Sequence, residues 1–260
     1  MCRVFGGRNG KLRRMKGAAV VLGNPGESAY GVIGIIGAME EEVRLLAAKL
    51  VHLEVIQLAG IEFMKGSFAG RQVVVCKSGV GKVNAAVTAQ LLVTAYGAEA
   101  VLFTGVAGAL DPELAVGDLV VSLDCLQHDM DASPLGFARG VIPFQEHSVF
   151  AADPELVRLA VESGEAVLPG RVRTGRVLSG DRFIADKAEV AALRRDFGGM
   201  CVEMEGAAVA QVCGMNGVPF VIIRSMSDKA DGSAPVSFAE FTALAARRSC
   251  ELVEHLLGRL

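Results

Sequence analysis

Basic excess, metal-ligand spacing and long apolar runs are all missing from this chain. A net charge of −3 and a pI near 5.9 leave no basic face of the kind that nucleic-acid binders present. The six cysteines include no CxxC pair and no paired metal spacing, and the four histidines include no HExxH. Both absences speak against a zinc enzyme, so no metal and no cofactor is expected. Most of the cysteines fall in apolar segments, which is the pattern of buried, reduced thiols in a cytoplasmic protein. No apolar stretch reaches the roughly 18 residues that cross a bilayer, so no membrane partner is expected. Neither an internal repeat nor a linker interrupts the chain.

What is present is a large apolar content. Of 260 residues, 52% are hydrophobic and 21% charged, enough for one sizeable core. Residues 1–30 differ from the rest: Arg3, Arg8, Lys11, Arg13, Arg14 and Lys16 precede a short apolar patch and then Asn-Pro-Gly-Glu-Ser. The patch is at the lower limit for a signal peptide and no A-x-A site follows. We read 1–30 as a leader, either disordered or a misassigned start, and 31–260 as a single domain.

From Val32 onward, short β-rich runs alternate with helical stretches. Strands are predicted over 32–36, 72–77, 100–104, 119–123, 173–179, 201–204 and 220–225, with a hairpin of 51–58 and 60–68 around Ala59-Gly60. Helices are predicted over 40–50, 83–96, 154–163, 187–196, 206–215 and 237–257. Very apolar strands alternating with helices imply an α/β fold whose sheet is covered on both faces. The segment 127–148 has no clear period, and a loop that long in a compact domain is usually functional or at an interface.

Three acids stand where strands give way to loops or helices: Glu42, Glu205 and Asp228. Ligands in open α/β sheets bind beyond the carboxyl ends of strands, where acids from distant segments converge. Each acid alone has a plainer reading. Glu40-Glu41-Glu42 suits a helix dipole, either Glu203 or Glu205 could cap the next helix, and Asp228 could be a turn residue. On a strand, Glu203 and Glu205 would share one face. The glycine-rich stretches fail as nucleotide motifs: Ser78-Gly-Val-Gly-Lys82 is followed by Val83 and lacks the upstream glycine, and Gly34-x-x-Gly37 lacks the dinucleotide spacing. His128-Asp-Met-Asp131 has no partner ligands and no calcium-loop glycine. Three acids and Arg224 without a metal cluster point to acid/base chemistry on a neutral, polar small molecule.

Seven segments then follow one another in order: Ile33-Gly-Ile-Ile-Gly-Ala-Met-Glu-Glu-Glu42, Lys77-Ser-Gly-Val-Gly-Lys82, Phe103-Thr-Gly-Val-Ala-Gly108, Val116-Gly-Asp-Leu-Val120, Ser179-Gly-Asp-Arg-Phe-Ile184, Val202-Glu-Met-Glu-Gly206 and Arg224-Ser-Met-Ser-Asp228. Together they closely resemble the bacterial 5′-methylthioadenosine/S-adenosylhomocysteine nucleosidases. The resemblance covers Val32 to the C-terminus. It implies the nucleoside phosphorylase/hydrolase fold, a three-layer α/β/α sandwich around a mixed sheet. It also implies hydrolysis of the N9–C1′ bond of adenine nucleosides in methionine salvage and methyl-cycle recycling, with 5′-deoxyadenosine as a further substrate.

The resemblance assigns roles residue by residue. Asp228 would be the general acid at adenine N7, with Ser227 holding its carboxyl. A free aspartic acid is ionised at neutral pH, so this role demands about 4 kcal/mol from burial and from the purine itself. Glu42 would orient and deprotonate the attacking water, with Arg224 nearby, and Glu205 would take the ribose hydroxyls. Phe183 would stack on the base, and Ile184, Ala107 and Gly108 would meet its edge. Met39, Met204 and Phe238 would wall the 5′-substituent, where a polarisable side chain suits thioethers of different bulk. The family resemblance also implies a homodimer, with the 127–143 loop shaping the partner's 5′ pocket.

Two departures leave alternatives open. Val106 stands where some members carry a serine, so no hydroxyl is offered to a water there. The 127–143 loop also differs from some members, and some relatives process 6-amino-6-deoxyfutalosine in menaquinone synthesis. A phosphate-dependent phosphorylase or a nucleoside-binding module on the same fold are further alternatives. Against the former, Glu40-Glu41-Glu42 in the first loop would repel phosphate. Against the latter, Glu42 and Asp228 are both present.

Overall fold

The computed structural model describes residues 30–228 and 234–260, with residues 234–240 and 242 as backbone only. Apart from Tyr30, the leader lies outside the described residues. Among the described residues, ten strands and six helices follow in the order β1 (Val32–Gly37), α1 (Glu40–Ala47), β2 (Val51–Leu58), β3 (Ile61–Phe68), β4 (Arg71–Lys77), α2 (Lys82–Tyr96), β5 (Ala100–Ala109), β6 (Leu119–Gln127), β7 (Val149–Ala151), α3 (Pro154–Val167), β8 (Val172–Ser179), α4 (Lys187–Phe197), β9 (Gly199–Glu203), α5 (Gly206–Asn216), β10 (Phe220–Asp228) and α6 (Ala234–Leu257).

Strand alternation builds the layers. On β1, β4, β5 and β10, residues Ile33, Ile35, Val73, Val75, Leu102, Val221 and Ile223 enter a core shared with Val43 and Leu46 of α1, Leu156 of α3 and Leu252 and Val253 of α6. The intervening residues Ile36, Val74, Val101, Phe103 and Ile222 enter the other core, with Ala85, Ala89 and Leu92 of α2 and Ala207 to Ala210 of α5. Because successive side chains on a strand point to opposite faces, apolar residues at every position require helices on both. The result is the expected three-layer α/β/α sandwich.

The sheet is mixed. β1 pairs in parallel with β4 and β5, β5 in parallel with β10, and β2-β3-β4 form an antiparallel run. β10 pairs with both β5 and β6, and β6, β8, β9 and β5 are joined in turn. Five strands therefore close into a ring, which brings the ends of β5, β9 and β10 together.

Several boundaries differ from the sequence-based expectation, and the sheet explains most of them. β5 continues five residues past Thr104 because β10 lies alongside it as far as Asp228↔Gly108. β6 reaches Gln127 along β8. β10 reaches Asp228 with an irregularity between Met226 and Asp228, a bulge that re-aims consecutive side chains. β9 ends at Glu203, one residue early, and Glu205 is the N-cap of α5 with φ −139° and ψ −41°. Glu203 and Glu205 therefore do not share a strand face. The 127–148 segment holds a short 3-10 turn, Ser133–Leu135, and leads into β7, which pairs with β6.

Gly34 on β1 shows how tightly one layer meets the sheet. A Cβ there would lie 2.8 Å from Leu92 Cδ1, so the missing side chain seats a fully buried leucine of α2. We expect Leu92→Ala to cost about 2–5 kcal/mol of stability. Urea denaturation measures this, and a loss under 1 kcal/mol would show that the layer repacks.

Candidate active site

Each acid is held by local backbone before any long-range contact is made. Glu42 is the third residue of α1, and its Oε2 accepts the N–H groups of Ala38 at 2.6 Å and Met39 at 2.9 Å. This is the carboxylate half of a capping arrangement, so the helix-start reading of this glutamate and its place in a site coincide. Its other oxygen, Oε1, accepts the Val106 N–H from β5 at 3.2 Å. Glu40 and Glu41 are exposed, and Glu40 pairs with Lys77.

At the end of β10, Ser227 Oγ donates to Asp228 Oδ2 at 2.7 Å and lies 3.3 Å from the Ala107 carbonyl oxygen. Glu205 Oε1 accepts the Gly81 N–H at 2.8 Å, at the amino end of α2. The glycine-rich 78–81 loop that fails as a phosphate motif thus serves a carboxylate of the same chain. Helix amino ends favour negative charge, and this one is filled from within.

These groups border a cavity of about 300 Å³. Ala38, Met39 and Glu42 line it from the first loop and α1, Val80 from the glycine loop, and Val106, Ala107 and Gly108 from β5. Arg182, Phe183 and Ile184 follow β8, Val202 and Glu203 end β9 with Met204 and Glu205 after them, and Ser227 and Asp228 end β10. Eleven of the twelve site residues singled out from sequence have described side chains, and ten of these line this one hollow. The exception is Arg224, which lies behind it. The side chain of Phe238 lies outside the described residues.

Arg224 stands near Glu42, as the sequence reading has it, but its bonded partner is Glu203. Glu203 Oε2 accepts its Nη2 at 2.5 Å and its Nε at 3.2 Å, and the guanidinium stacks on Phe103 with Cζ 3.9 Å from the ring centre. Glu203 also accepts the Gly206 N–H at 2.8 and 2.9 Å and the Glu205 N–H at 3.2 Å. A bond from Ser179 Oγ completes its shell. Glu203 therefore takes the capping role left open between the two glutamates. It lines the cavity yet was not nominated from sequence; a carboxylate two residues before an acid, followed by glycine, was the available signal.

Burial and mutual repulsion set the charges. The cavity acids and Arg224 are 1–7% exposed. Burial raises the affinity of Glu42 for its proton, opposed by Arg224 and by the three N–H groups. Glu205 is pushed from 4.5 up to about 7 by burial and then by Glu203 and Glu42, with Arg224 and the Gly81 N–H opposing. Such perturbed carboxyls in a concave, mostly apolar site mark a catalytic or binding centre.

The mouth is braced by the His128-Asp-Met-Asp131 segment. Asp129 accepts from Lys82 Nζ at 2.6 Å and from the Asp181 N–H at 3.0 Å, tying the start of α2 to the loop that carries Phe183 and Ile184. Phe183 stays half-exposed and Ile184 is buried. No group of three or more His, Cys, Asp or Glu is arranged to hold a metal among the described residues. No helix among them is long and apolar enough to cross a membrane.

Comparison with known proteins adds to this geometry. The model of the phosphorylase superfamily matches residues 32–258. A 5′-methylthioadenosine/S-adenosylhomocysteine nucleosidase of Halalkalibacterium halodurans is 44% identical over 230 residues, 88% of this chain and 98% of that protein. The nucleosidase of Neisseria meningitidis, solved with methylthio-immucillin-A, shares 37% identity at a TM-score of 0.85 and covers 88% of this chain and 100% of its own. The futalosine hydrolase of Helicobacter pylori shares 36% identity at a TM-score of 0.84, covering 88% and 98%.

The raised Glu205 has a consequence for stability. Between about 4.5 and about 7 the folded chain holds a proton that the unfolded chain has released, so stability falls as pH rises through that window. Glu205→Gln keeps an acceptor for Gly81 but cannot ionise. We expect it to exceed the wild type by roughly 3 kcal/mol at pH 8 and to match it near pH 4.5. Denaturant unfolding at the two pH values measures the difference; an equal gain at both would place the effect elsewhere.

Proposed function

The chain belongs to the phosphorylase superfamily and, within it, to the 5′-methylthioadenosine/S-adenosylhomocysteine nucleosidases, and on that premise we propose how it hydrolyses the N9–C1′ bond of those two nucleosides. The observation that carries this reading is that Asp228 and Glu42, far apart in sequence, border one hollow. Breaking the bond leaves electrons on the purine and positive character on the sugar, so a proton donor and a water activator are needed at opposite ends.

In this reading Asp228 donates to adenine N7, its carboxyl steered by Ser227. Glu42 orients the water and accepts its proton; burial makes it a stronger base than a free glutamate, and its backbone bonds fix its direction. Glu205, anchored by Gly81, accepts from the ribose hydroxyls. Adenine lies between Phe183 and the Ala107-Gly108 strand, with the Ile184 backbone at its edge, and Met39, Met204 and Phe238 receive the 5′-thioether. Val106 offers only its N–H, which Glu42 already takes, so the water is bound without a hydroxyl there. A carboxylate where a phosphorylase needs room for phosphate favours water as the nucleophile.

Residues 31–260 act as one catalytic domain in this proposal. The protein works as a cytoplasmic homodimer, which five buried free cysteines and the exposed apolar side chains Val83, Val87, Leu135 and Phe144 support.

Adenine release in phosphate-free buffer tests the reaction. Asp228→Asn should lower kcat more than about a hundredfold while methylthioadenosine still binds. Glu42→Gln should likewise lower kcat at unchanged affinity. Full turnover in the first variant, or a rise in KM alone in the second, would remove those roles. A panel of methylthioadenosine, adenosylhomocysteine, 5′-deoxyadenosine and aminodeoxyfutalosine should place the first two at the top; preference for the last would favour the activity named for the Helicobacter structure. Sizing chromatography should return twice the chain mass, and an active monomer would refute the dimer.

A further inference from the structure

Glu203 is not assigned a part in the chemistry above, yet it accepts more hydrogen bonds than Glu42 or Glu205. Capping α5 would explain its bonds to Gly206 and Glu205, but a neutral amide or hydroxyl serves a helix start as well. A third buried carboxylate beside Glu42 and Glu205 is costly, and each makes the others harder to ionise. Its distinguishing contact is with Arg224. Two donors of the guanidinium edge, Nε and Nη2, converge on Glu203 Oε2, while Phe103 covers one face. With that edge and face fixed, Nη1 has one direction left.

That direction is toward Glu42. A Cβ added to Gly105 would lie 2.8 Å from Arg224 Nη1 and 2.7 Å from Glu42 Oε1, so both atoms border the same point above the β5 backbone. Nη1 is fully buried and has no hydrogen-bond partner among the described residues. If the guanidinium were free to turn, its planar fork would take both oxygens of Glu42, as arginine does with an available carboxylate. A base engaged that way has lost the lone pair that the reaction needs.

We propose that Glu203 is a positioning residue for hydrolysis: it holds the Arg224 fork away from Glu42, so that one N–H group faces the attacking water and Glu42 Oε1, bonded once by Val106, keeps its second lone pair to take the proton. The proposal rests on the hydrolase reading and adds a second function to a side chain that otherwise only caps a helix. Ser179, which donates to Glu203 and accepts the Ala207 N–H at 2.7 Å, keeps the carboxylate from rotating.

A double-mutant cycle on the full chain tests it, with kcat and KM for methylthioadenosine and thermal unfolding measured on each protein. Glu203→Gln keeps one acceptor oxygen for the α5 cap but removes the charge that holds the fork. We expect kcat to fall tenfold or more with KM changed less than about threefold. Arg224→Lys keeps the charge without the fork and should also lower kcat. Because Glu203 acts through Arg224, the double variant should lose little beyond Arg224→Lys alone. Fully additive losses, an effect on KM only, or an unchanged kcat in Glu203→Gln would overturn the proposal. Should Glu203→Gln fail to fold, Arg224→Lys decides: full kcat overturns it, and a tenfold loss at unchanged KM supports it. A wild type that releases no adenine would end both readings; an active wild type with an unimpaired Glu203→Gln would end only this one.

Discussion

One buried cation makes the cavity possible. Arg224 lies in the interior with Glu203 as its direct partner and Glu42 and Glu205 within its field. Without it, three glutamates in a dry hollow would repel one another and would be kept neutral by burial. The pairing is no simple gain in stability, since desolvating an arginine and a carboxylate costs about as much as their attraction returns. What it supplies is position: three carboxylates at the cavity wall, each with a different mix of burial, backbone donors and distance from the guanidinium.

Backbone geometry does the rest of the positioning. Glu42 is bonded by the chain that enters its own helix, Glu205 by the amino end of α2, and Glu203 by the amino end of α5. Unsatisfied N–H groups at helix starts are present in any α/β fold, and here those of three helix starts are directed at carboxylates. The acids are thereby fixed by short-range structure, which holds direction better than long side chains reaching across a cavity. The raised Glu205 shows the cost of that crowding, a site less stable than its surroundings would allow.

Legibility from sequence followed the range of the forces involved. The unbroken apolar runs on β1, β4, β5 and β10 and the helical stretches between them were enough to predict a covered sheet, because each depends on neighbours a few residues away. Strand ends were read short at Thr104, Leu123 and Ser225, because there the composition turns to glycine, serine and charge while the partner strand still carries the ladder. Phe183, Ile184, Met39 and Met204 became legible only through the resemblance of seven ordered segments; their own composition gives no sign that they share a wall.

By itself the sequence determined that this is one apolar, sheet-centred chain without metal-ligand spacing, and that acids stand at the ends of several strands. The tertiary structure alone decided which of them meet. It gave Glu203 the direct bond to Arg224, with Glu42 only nearby, and it turned a failed phosphate loop into the anchor of Glu205. The reason is physical: a strand or helix is specified by contacts along the chain, whereas the environment of a buried charge is the sum of groups brought from separate segments. That sum exists only once the strands have closed into their ring.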